Sequence, residues 1–545
     1  MPNNLGFQVE EERGPDQHIV RLDTARTAFV GRTLRGPVNQ AVALRSFAQF
    51  QQIFGGLWQP STLGYAVEQF FDNGGRDAWV VRVVNGAHAG TLNLSAGGGA
   101  LRLRAARPGT REFLRASVDY DNIPAGIAEF NLTVQRVRMQ GTEQVEDQEI
   151  HTRLSMLPTA ERYVGTVLAE SQLVLLAGEP PSERPDRTLD ATSGLATRYV
   201  VSSAGDDGDP LSDYDIIGSE RDGTGLFALD AVDHFNFLCI PPLTRERDVG
   251  LCTLVVAAGY CKARRALLIV DPPAEWLTAD EALRGLRQWN FASENALMYF
   301  PRILAHDKLR GHFEAFAPCG AVAGMLARAD EHFPVWGPEK LEDAILRPGF
   351  RPGSLVGEDR RRRLGAMGVN TIQAVRSAAR IGVAPRTLAV GSAGNAAWAD
   401  LASRRLALFI LNSVERGTRW IVHSKPHLDV AALAARQVVE FFEQLHEAGA
   451  FGERPPTQSF FVTCDDARNS LAADPSEFEF EIGFAALREG EFHRFRISHS
   501  VSGSAVTPCP YRSILADYSP AELEWVDRLA TRLRAAASGG TVDPS

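Results

Sequence analysis

Three short apolar runs, each closed by proline, constrain this chain more than any other feature. Phe235-Asn-Phe-Leu-Cys-Ile240 stops at Pro241-Pro242, Ala266-Leu-Leu-Ile-Val270 at Asp271-Pro272-Pro273, and Ala296-Leu-Met-Tyr-Phe300 at Pro301. Side chains alternate faces along a strand, so a strand apolar at nearly every position must be covered on both sides. Helical stretches, about Asp248–Arg264 and Ala279–Trp289, separate the runs. Strands alternating with helices predict a parallel sheet between two helical layers.

The same layer begins upstream. Thr27-Ala-Phe-Val-Gly31 reads as a buried strand and Gly36-Pro-Val-Asn39 as a turn. Ser46 can cap a helix over Phe47–Phe54, which Gly55-Gly56 ends. Ala66, Val67, Phe70 and Phe71 recur at helical spacing within Leu63–Phe71, and Ala78–Val84 is a strand. After Asn85 the texture changes: from Gly86 to Ser203 the chain is rich in Gly and Thr and in alternating runs such as Phe130–Val137, which predicts an inserted β-rich domain. Gly205-Asp-Asp-Gly-Asp-Pro210 offers oxygen ligands but lacks the glutamate and spacing of an EF-hand, and reads as a plain acidic loop. Pro318–Arg328 starts a small-residue helix.

In the last third, Arg404–Val414 reads as a helix, Arg419–His423 as a strand and Val430–Ala448 as a long amphipathic helix stopped by Gly449. Ser459–Thr463, Glu477–Phe484 and Glu491–Ser498 alternate as strands, and Pro520–Ala537 reads as an exposed helix. At the other end Leu5–Glu10 alternates like a strand with no local partner, so its backbone needs a sheet elsewhere in this chain or another.

The chain has 545 residues, 44% hydrophobic and 23% charged, enough for a large core without disulfides or metals. A net charge of −10 argues against nucleic acid as a partner, and the run Arg360–Arg363 reads as a solvated loop. The cysteines, Cys239, Cys252, Cys261, Cys319, Cys464 and Cys509, form no Cys-x-x-Cys pair and suit free thiols in a reducing compartment. No secretory signal opens the sequence and no apolar stretch approaches a membrane span, so cytoplasmic folding without membrane insertion is expected.

The sequence contains no P-loop, His-Glu-x-x-His or Gly-x-Ser-x-Gly motif. Gly391-Ser-Ala-Gly-Asn395 lacks the P-loop lysine, and Pro426 separates His423 from His427, so both segments read as loops. Asp271, at the end of a parallel strand, is the best placed carboxylate for an enzyme. An Asp-Pro-Pro turn explains it as well. The expectation is no catalysis, no cofactor and no metal.

Several blocks together resemble the tail-sheath family of contractile phages, R-type bacteriocins and phage-like extracellular contractile injection systems. They are Gly6–Glu11, Thr27–Asn39, Phe47–Leu57, Leu63–Gly75 and Trp79–Val83, then Gly365–Ile372, Arg386–Leu388, Glu415–Val422, Phe460–Asp465, Phe480–Phe484 and Phe492–Ile497. The likeness runs through nearly the whole chain in order. The sequence departs from the family pattern at Phe492-His-Arg-Phe495 and continues well past it.

The resemblance implies an α/β multidomain fold: an N-terminal arm (1–17), an α/β sheath core (18–85 and 204–385) holding a β-rich outer insert (86–203), a C-terminal tube-facing α/β domain (386–498), and an arm and tail (499–545). It implies a structural subunit of a contractile sheath, polymerised as a helical stack of hexameric rings. The implied partners are further copies, an inner tube protein, and baseplate and cap proteins, in a phage tail or released tail-like particle. Leu5, Phe7, Val9, Phe492, Phe495 and Ile497 would lie on strand arms completing neighbouring subunits' sheets, and Arg436, Glu440 and Glu443 would face the tube. Two other readings stay open: a baseplate component with sheath-like domains, and an α/β enzyme with its site near Asp271 or the Gly391 loop.

Overall fold

The computed structural model describes residues 18–140, 142–189, 198–337, 345–375, 378–381, 385–389, 398–423, 428–464, 478–485 and 493–509. The chain divides into two compact units: Asp23–Arg405, and one built from both ends, Met1–Leu22 with Leu406–Ser545.

The larger unit opens with β1 (Thr27–Gly31), β2 (Ala41–Leu44), α1 (Phe47–Phe54), α2 (Leu63–Asp72) and β3 (Ala78–Arg82). Ser46 caps α1 by accepting from the Gln49 N–H, and Gly55 ends it at φ 90°, a left-handed conformation that glycine takes without strain. The chain then leaves the layer for β4 (Thr91–Ala96), β5 (Gly99–Ala105), β6 (Leu114–Asp119), β7 (Glu129–Gln140), β8 (Thr142–Ser155), α3 (Val164–Ala169), β9 (Val174–Leu176) and β10 (Val200–Val201). These strands form two antiparallel sheets, ordered β4-β5-β9 and β10-β6-β7-β8. Leu92, Leu103, Phe130, Leu154 and Val164 share a separate apolar core there.

Back in the layer come α4 (Asp213–Ile217), β11 (Phe237–Cys239), α5 (Leu251–Ala263), β12 (Leu267–Val270), α6 (Ala279–Trp289) and β13 (Ala296–Phe300). A side hairpin, β14 (Ile303–Asp307) and β15 (His312–Phe316), precedes α7 (Cys319–His332), β16 (Arg351–Pro352), α8 (Glu358–Ala366), β17 (Val369–Val375) and β18 (Ala378–Ile381). Among the described residues the central sheet runs β18-β17-β13-β12-β11-β1-β3-β2. It is parallel from β17 to β3 and antiparallel at both edges. Every residue of β1, β11, β12 and β13 is buried, as strands apolar throughout require.

Two local expectations are corrected. Arg360–Arg363 belongs to α8, not to a loop: Gly357 precedes the helix, and Glu358 and Asp359 in its first turn suit the positive end of the helix dipole. Arg360 grips Asp280 on α6 with bonds of 3.0 and 2.8 Å. In the second unit Arg419–His423 is a 3-10 turn, not a strand. Among the described residues no strand pairs with it. Instead it continues from α9 (Leu401–Gly417), where the Thr418 hydroxyl donates to the Val414 carbonyl and Ile421 is buried.

The second unit continues with α10 (Leu428–Glu447), α11 (Pro456–Ser459) and the antiparallel sheet β19 (Phe460–Thr463), β20 (Phe478–Phe484), β21 (His493–Ser500) and β22 (Gly503–Pro508), paired in that order. α10 buries Ala434, Val438, Phe441, Phe442 and Leu445. Phe442 stacks on Phe460 at 5.1 Å, and Phe484 on Phe495 at 5.7 Å, so the helix and sheet share an aromatic core.

Candidate assembly site

Among the described residues the four-stranded sheet of the second unit has two unpaired edges. Among the described residues no strand pairs with the outer side of β19 or of β22. The Cys509 N–H donates to the Arg494 carbonyl, so in this register Thr507 and Ala505 bond inward to β21. The N–H and C=O of Ser504 and Val506 therefore point outward. On the opposite edge the Ala485 N–H donates to the Ser459 carbonyl, so Phe461 and Thr463 bond inward and Phe460 and Val462 face out. Such edges are templates for another strand.

β21 itself is already paired on both sides. Phe495 faces Ile482 and Pro508, and Ile497 faces Phe480 and Val506, all within the chain. Ile497 is 0% and Phe495 7% exposed. Within the single chain, Phe495 and Ile497 thus lie on the third strand of their own sheet. Leu5, Phe7, Val9, Phe492 and the Gly391 loop lie outside the described residues. The departure at Phe492-His-Arg-Phe495 has a local reason. Arg494 pairs with Glu481, and Arg496 with Glu479 at 2.7 Å, so the exposed face of β20–β21 is an interleaved charge ladder. Alternating glutamates in one segment and alternating arginines in another were the signal for this pairing.

His499 was not singled out by sequence. It lies fully buried on β21, between the Thr418 hydroxyl (Nε2, 2.8 Å) and the Ser504 hydroxyl (Nδ1, 2.7 Å). The Thr418 hydroxyl spends its proton on Val414, so Nε2 carries hydrogen and Nδ1 accepts from Ser504. Burial pushes the imidazole down to about 4, and it is held neutral. It ties the end of α9 to the β21–β22 hairpin.

On α10, Arg436 and Glu443 are exposed, and Glu440 is half-buried with His18 3.8 Å away. These three charges share the face opposite the buried aromatic stripe. Arg21 also reaches the Gln444 carbonyl, so residues just after the N-terminal segment lie along this helix.

Several chemistry-bearing groups of the larger unit serve its own architecture. Asp271 accepts from the Cys319 N–H at 2.8 Å and anchors the start of α7, while burial raises its carboxyl to about 6. Over the ends of β1 and β11, where sheets of this type hold ligands, Ser61 donates to the Arg32 carbonyl at 2.5 Å and Thr62 to the Pro242 carbonyl. Asp207 accepts from the Thr110 amide and hydroxyl (2.8 and 2.7 Å), and Arg32 donates to the Asp207 and Gly208 carbonyls. The acidic loop is thus a clasp at the root of the insert. Arg82, 1% exposed, completes that root by donating to the Gly36 and Pro108 carbonyls. Burial lowers its guanidinium to about 10. Among the described residues no group of three or more His, Cys, Asp or Glu side chains could hold a metal ion.

No protein-family model matches the sequence, and no curated protein matches it. Solved structures do. A sheath tail protein of Listeria innocua superposes with a TM-score of 0.59 at 12% identity, covering 88% of this chain and 96% of that one. A sheath tail protein of Desulfitobacterium hafniense gives 0.53 at 11% identity, covering 91% and 100%. The contracted sheath of PVC, an extracellular contractile injection system, gives 0.51 at 14% identity, covering 90% and 96%. The matches cover 88–91% of this chain, and the chain has the fold of contractile-tail sheath proteins.

Proposed function

We propose that this chain is a structural subunit of a contractile sheath. It polymerises as a helical stack of hexameric rings around an inner tube and contracts to drive that tube through a target envelope. The observation that carries this reading is the near end-to-end likeness to sheath proteins, with 96% of the Listeria innocua chain covered. A domain borrowed for other chemistry would match over one unit only.

The open edges of the C-terminal sheet supply a means of linkage. A strand added at β19 or β22 makes about three or four main-chain hydrogen bonds, each worth ~1 kcal/mol net, while its alternating side chains fix the register. Leu5, Phe7 and Val9 give the N-terminal segment the alternation such a strand needs. Rigid units joined by paired strands can shift relative to their neighbours without breaking the polymer, and energy stored at assembly drives contraction without a nucleotide. The α10 face carrying Arg436, Glu440 and Glu443 is the proposed tube contact. Baseplate and cap proteins close the two ends, and the whole is a phage tail or a released tail-like particle assembled in a bacterial cytoplasm.

Negative-stain electron microscopy of the full chain, beside one lacking Met1–Arg13, tests this. Long hollow sleeves from the full chain, lost on truncation, are expected. Discrete particles from the full chain, even with a tube protein supplied, overturn the reading.

A further inference from the structure

The β-rich insert joins the core layer at a narrow root. The two have separate apolar cores with no residue in common. The chain crosses between them twice, after β3 and after β10, and the crossings bond to each other. The Asp206 N–H donates to the His88 carbonyl and the Asp209 N–H to the Asn85 carbonyl, both at 2.8 Å. Gly86, at φ 65°, has nothing within 4 Å of where its Cβ would stand. Beyond this root core and insert part around a cleft of 1090 Å³, with Phe47 and Trp58 on the core wall and Phe113 and Val137 on the insert wall.

Besides the root contacts of Arg82 and Asp207, one side-chain ion pair joins core and insert among the described residues, that of Arg35 with Glu146. Both residues line the cleft. Glu146 is the extra residue of a β-bulge, since Arg136 faces Asp147 and Val137 faces Val145. A bulge re-aims a side chain, and this one brings the carboxylate to the core. The carboxylate also has partners in its own sheet, Arg136 at 3.6 Å and Arg138 at 3.8 Å, both on β7. Arg35 likewise holds the Gln52 carbonyl at 2.8 Å. Each charge is thus provided for whether or not the two touch. Their contact leaves Arg35 Nε and Arg136 Nε buried without a hydrogen bond, and each such atom counts against the closed arrangement.

We propose that Arg35 and Glu146 form a latch, and that the insert rocks about its root to open the cleft when the latch parts. Opening lets water reach Arg35 and returns Glu146 to Arg136 and Arg138, while the Arg82 and Asp207 contacts stay intact at the pivot. In a contracting polymer such an insert follows its neighbours while the core keeps its own contacts. That consequence alone rests on the sheath reading; the latch does not.

Spin labels on Ala48→Cys of α1 and Gln144→Cys of β8 read the width of the cleft by double electron–electron resonance. The full chain is used, with Cys252, Cys464 and Cys509 replaced by serine, since these three are not buried. Dilution with unlabelled chain confines the reading to distances within one subunit. Glu146→Gln is expected to raise a longer-distance population roughly fivefold, the change that one lost ion pair makes. Arg35→Gln should do the same, and the double variant no more than either. A pair within the core, Ala48→Cys with Gln288→Cys, should not move. The parental distance alone in both single variants overturns the latch, and so does a core pair that moves with the cleft pair. If a variant fails to fold, the parent at about 1 M salt decides, where the Debye length is ~3 Å and the longer distance should grow. These distances are read whether or not the chain forms sleeves. Failure of the latch therefore leaves the sheath standing, and discrete particles in micrographs refute the sheath without touching the latch.

Discussion

Gly320 and Gly324 let α7 approach α2 with no side chain between the helices at two points. A Cβ on Gly320 would stand 2.0 Å from the Ala66 carbonyl oxygen, and one on Gly324 2.2 Å from that of Phe70. Both obstacles are helix backbone, which cannot swing aside. In an unhindered helix interior, Gly→Ala stabilises by about 1 kcal/mol. Here alanine must part the helices by about 1 Å, a gap that forfeits up to half of each dispersion contact across the seam. The buried Ala66, Val67 and Phe70 of α2 and Ala321, Val322 and Met325 of α7 make up the buried sides of these helices. Overpacking of this kind costs ~1–3 kcal/mol, enough to reverse the sign set by propensity. Gly320→Ala is therefore expected to lower the stability of the larger unit by roughly 1–3 kcal/mol. Gly259→Ala, in open space on α5, should raise it by about 1 kcal/mol. The double variant with Gly324→Ala should cost less than the sum, because helices already parted pay little for the second methyl. Urea unfolding followed by circular dichroism measures the parent, the three single variants and the double variant. Gly320→Ala at or above the midpoint of Gly259→Ala would refute the close-approach argument.

Three further outcomes follow from other sites. His499 titrates near 4 when folded against an ordinary 6.5, so the stability it contributes is complete above pH 6.5 and lost as pH falls towards 4, up to roughly 3 kcal/mol. Unfolding of the C-terminal unit should be less acid-sensitive in His499→Gln, and equal slopes would contradict the buried neutral assignment. Asp271 has the opposite sign: raised to about 6, its contribution is full below pH 3.8 and lost as pH rises through 6, again up to ~3 kcal/mol, so Asp271→Asn should flatten the loss between pH 4 and 7. Proline at Val506 or Val462 removes an outward N–H without breaking the inward ladder. At least one of the two should abolish sleeves while leaving the unfolding midpoint within about 0.5 kcal/mol of the parent, and sleeves from both variants would rule out strand addition at these edges.

Legibility in the sequence followed the range of the interactions. Phe235–Ile240, Ala266–Val270 and Ala296–Phe300 announced buried parallel strands because burial on both faces leaves a continuous apolar run. Ser46 and Gly55 marked both ends of α1 because capping is settled within one turn. Arg419–His423 misled because its β-branched pattern fits a strand, yet a strand exists only beside another. Arg360–Arg363 misled because a charge run reveals solvation but not conformation.

At the candidate site, the alternation of Glu477–Phe484 and Glu491–Ser498 showed strands of one buried face. It could not say whether β21 would pair at home or abroad. The sequence by itself determined the mixed α/β layer, the β-rich insert and the small-residue character of α7. Only the tertiary structure decided that Gly320 and Gly324 meet backbone, that Arg82 and Asp207 fasten the insert, and that Ser504, Val506, Phe460 and Val462 lie on the edges left unpaired among the described residues. The physical reason is that periodicity records how much of each residue is buried, whereas the identity of the partner is set by segments elsewhere in the chain, from tens of residues away for Arg82 to over two hundred for Gly320.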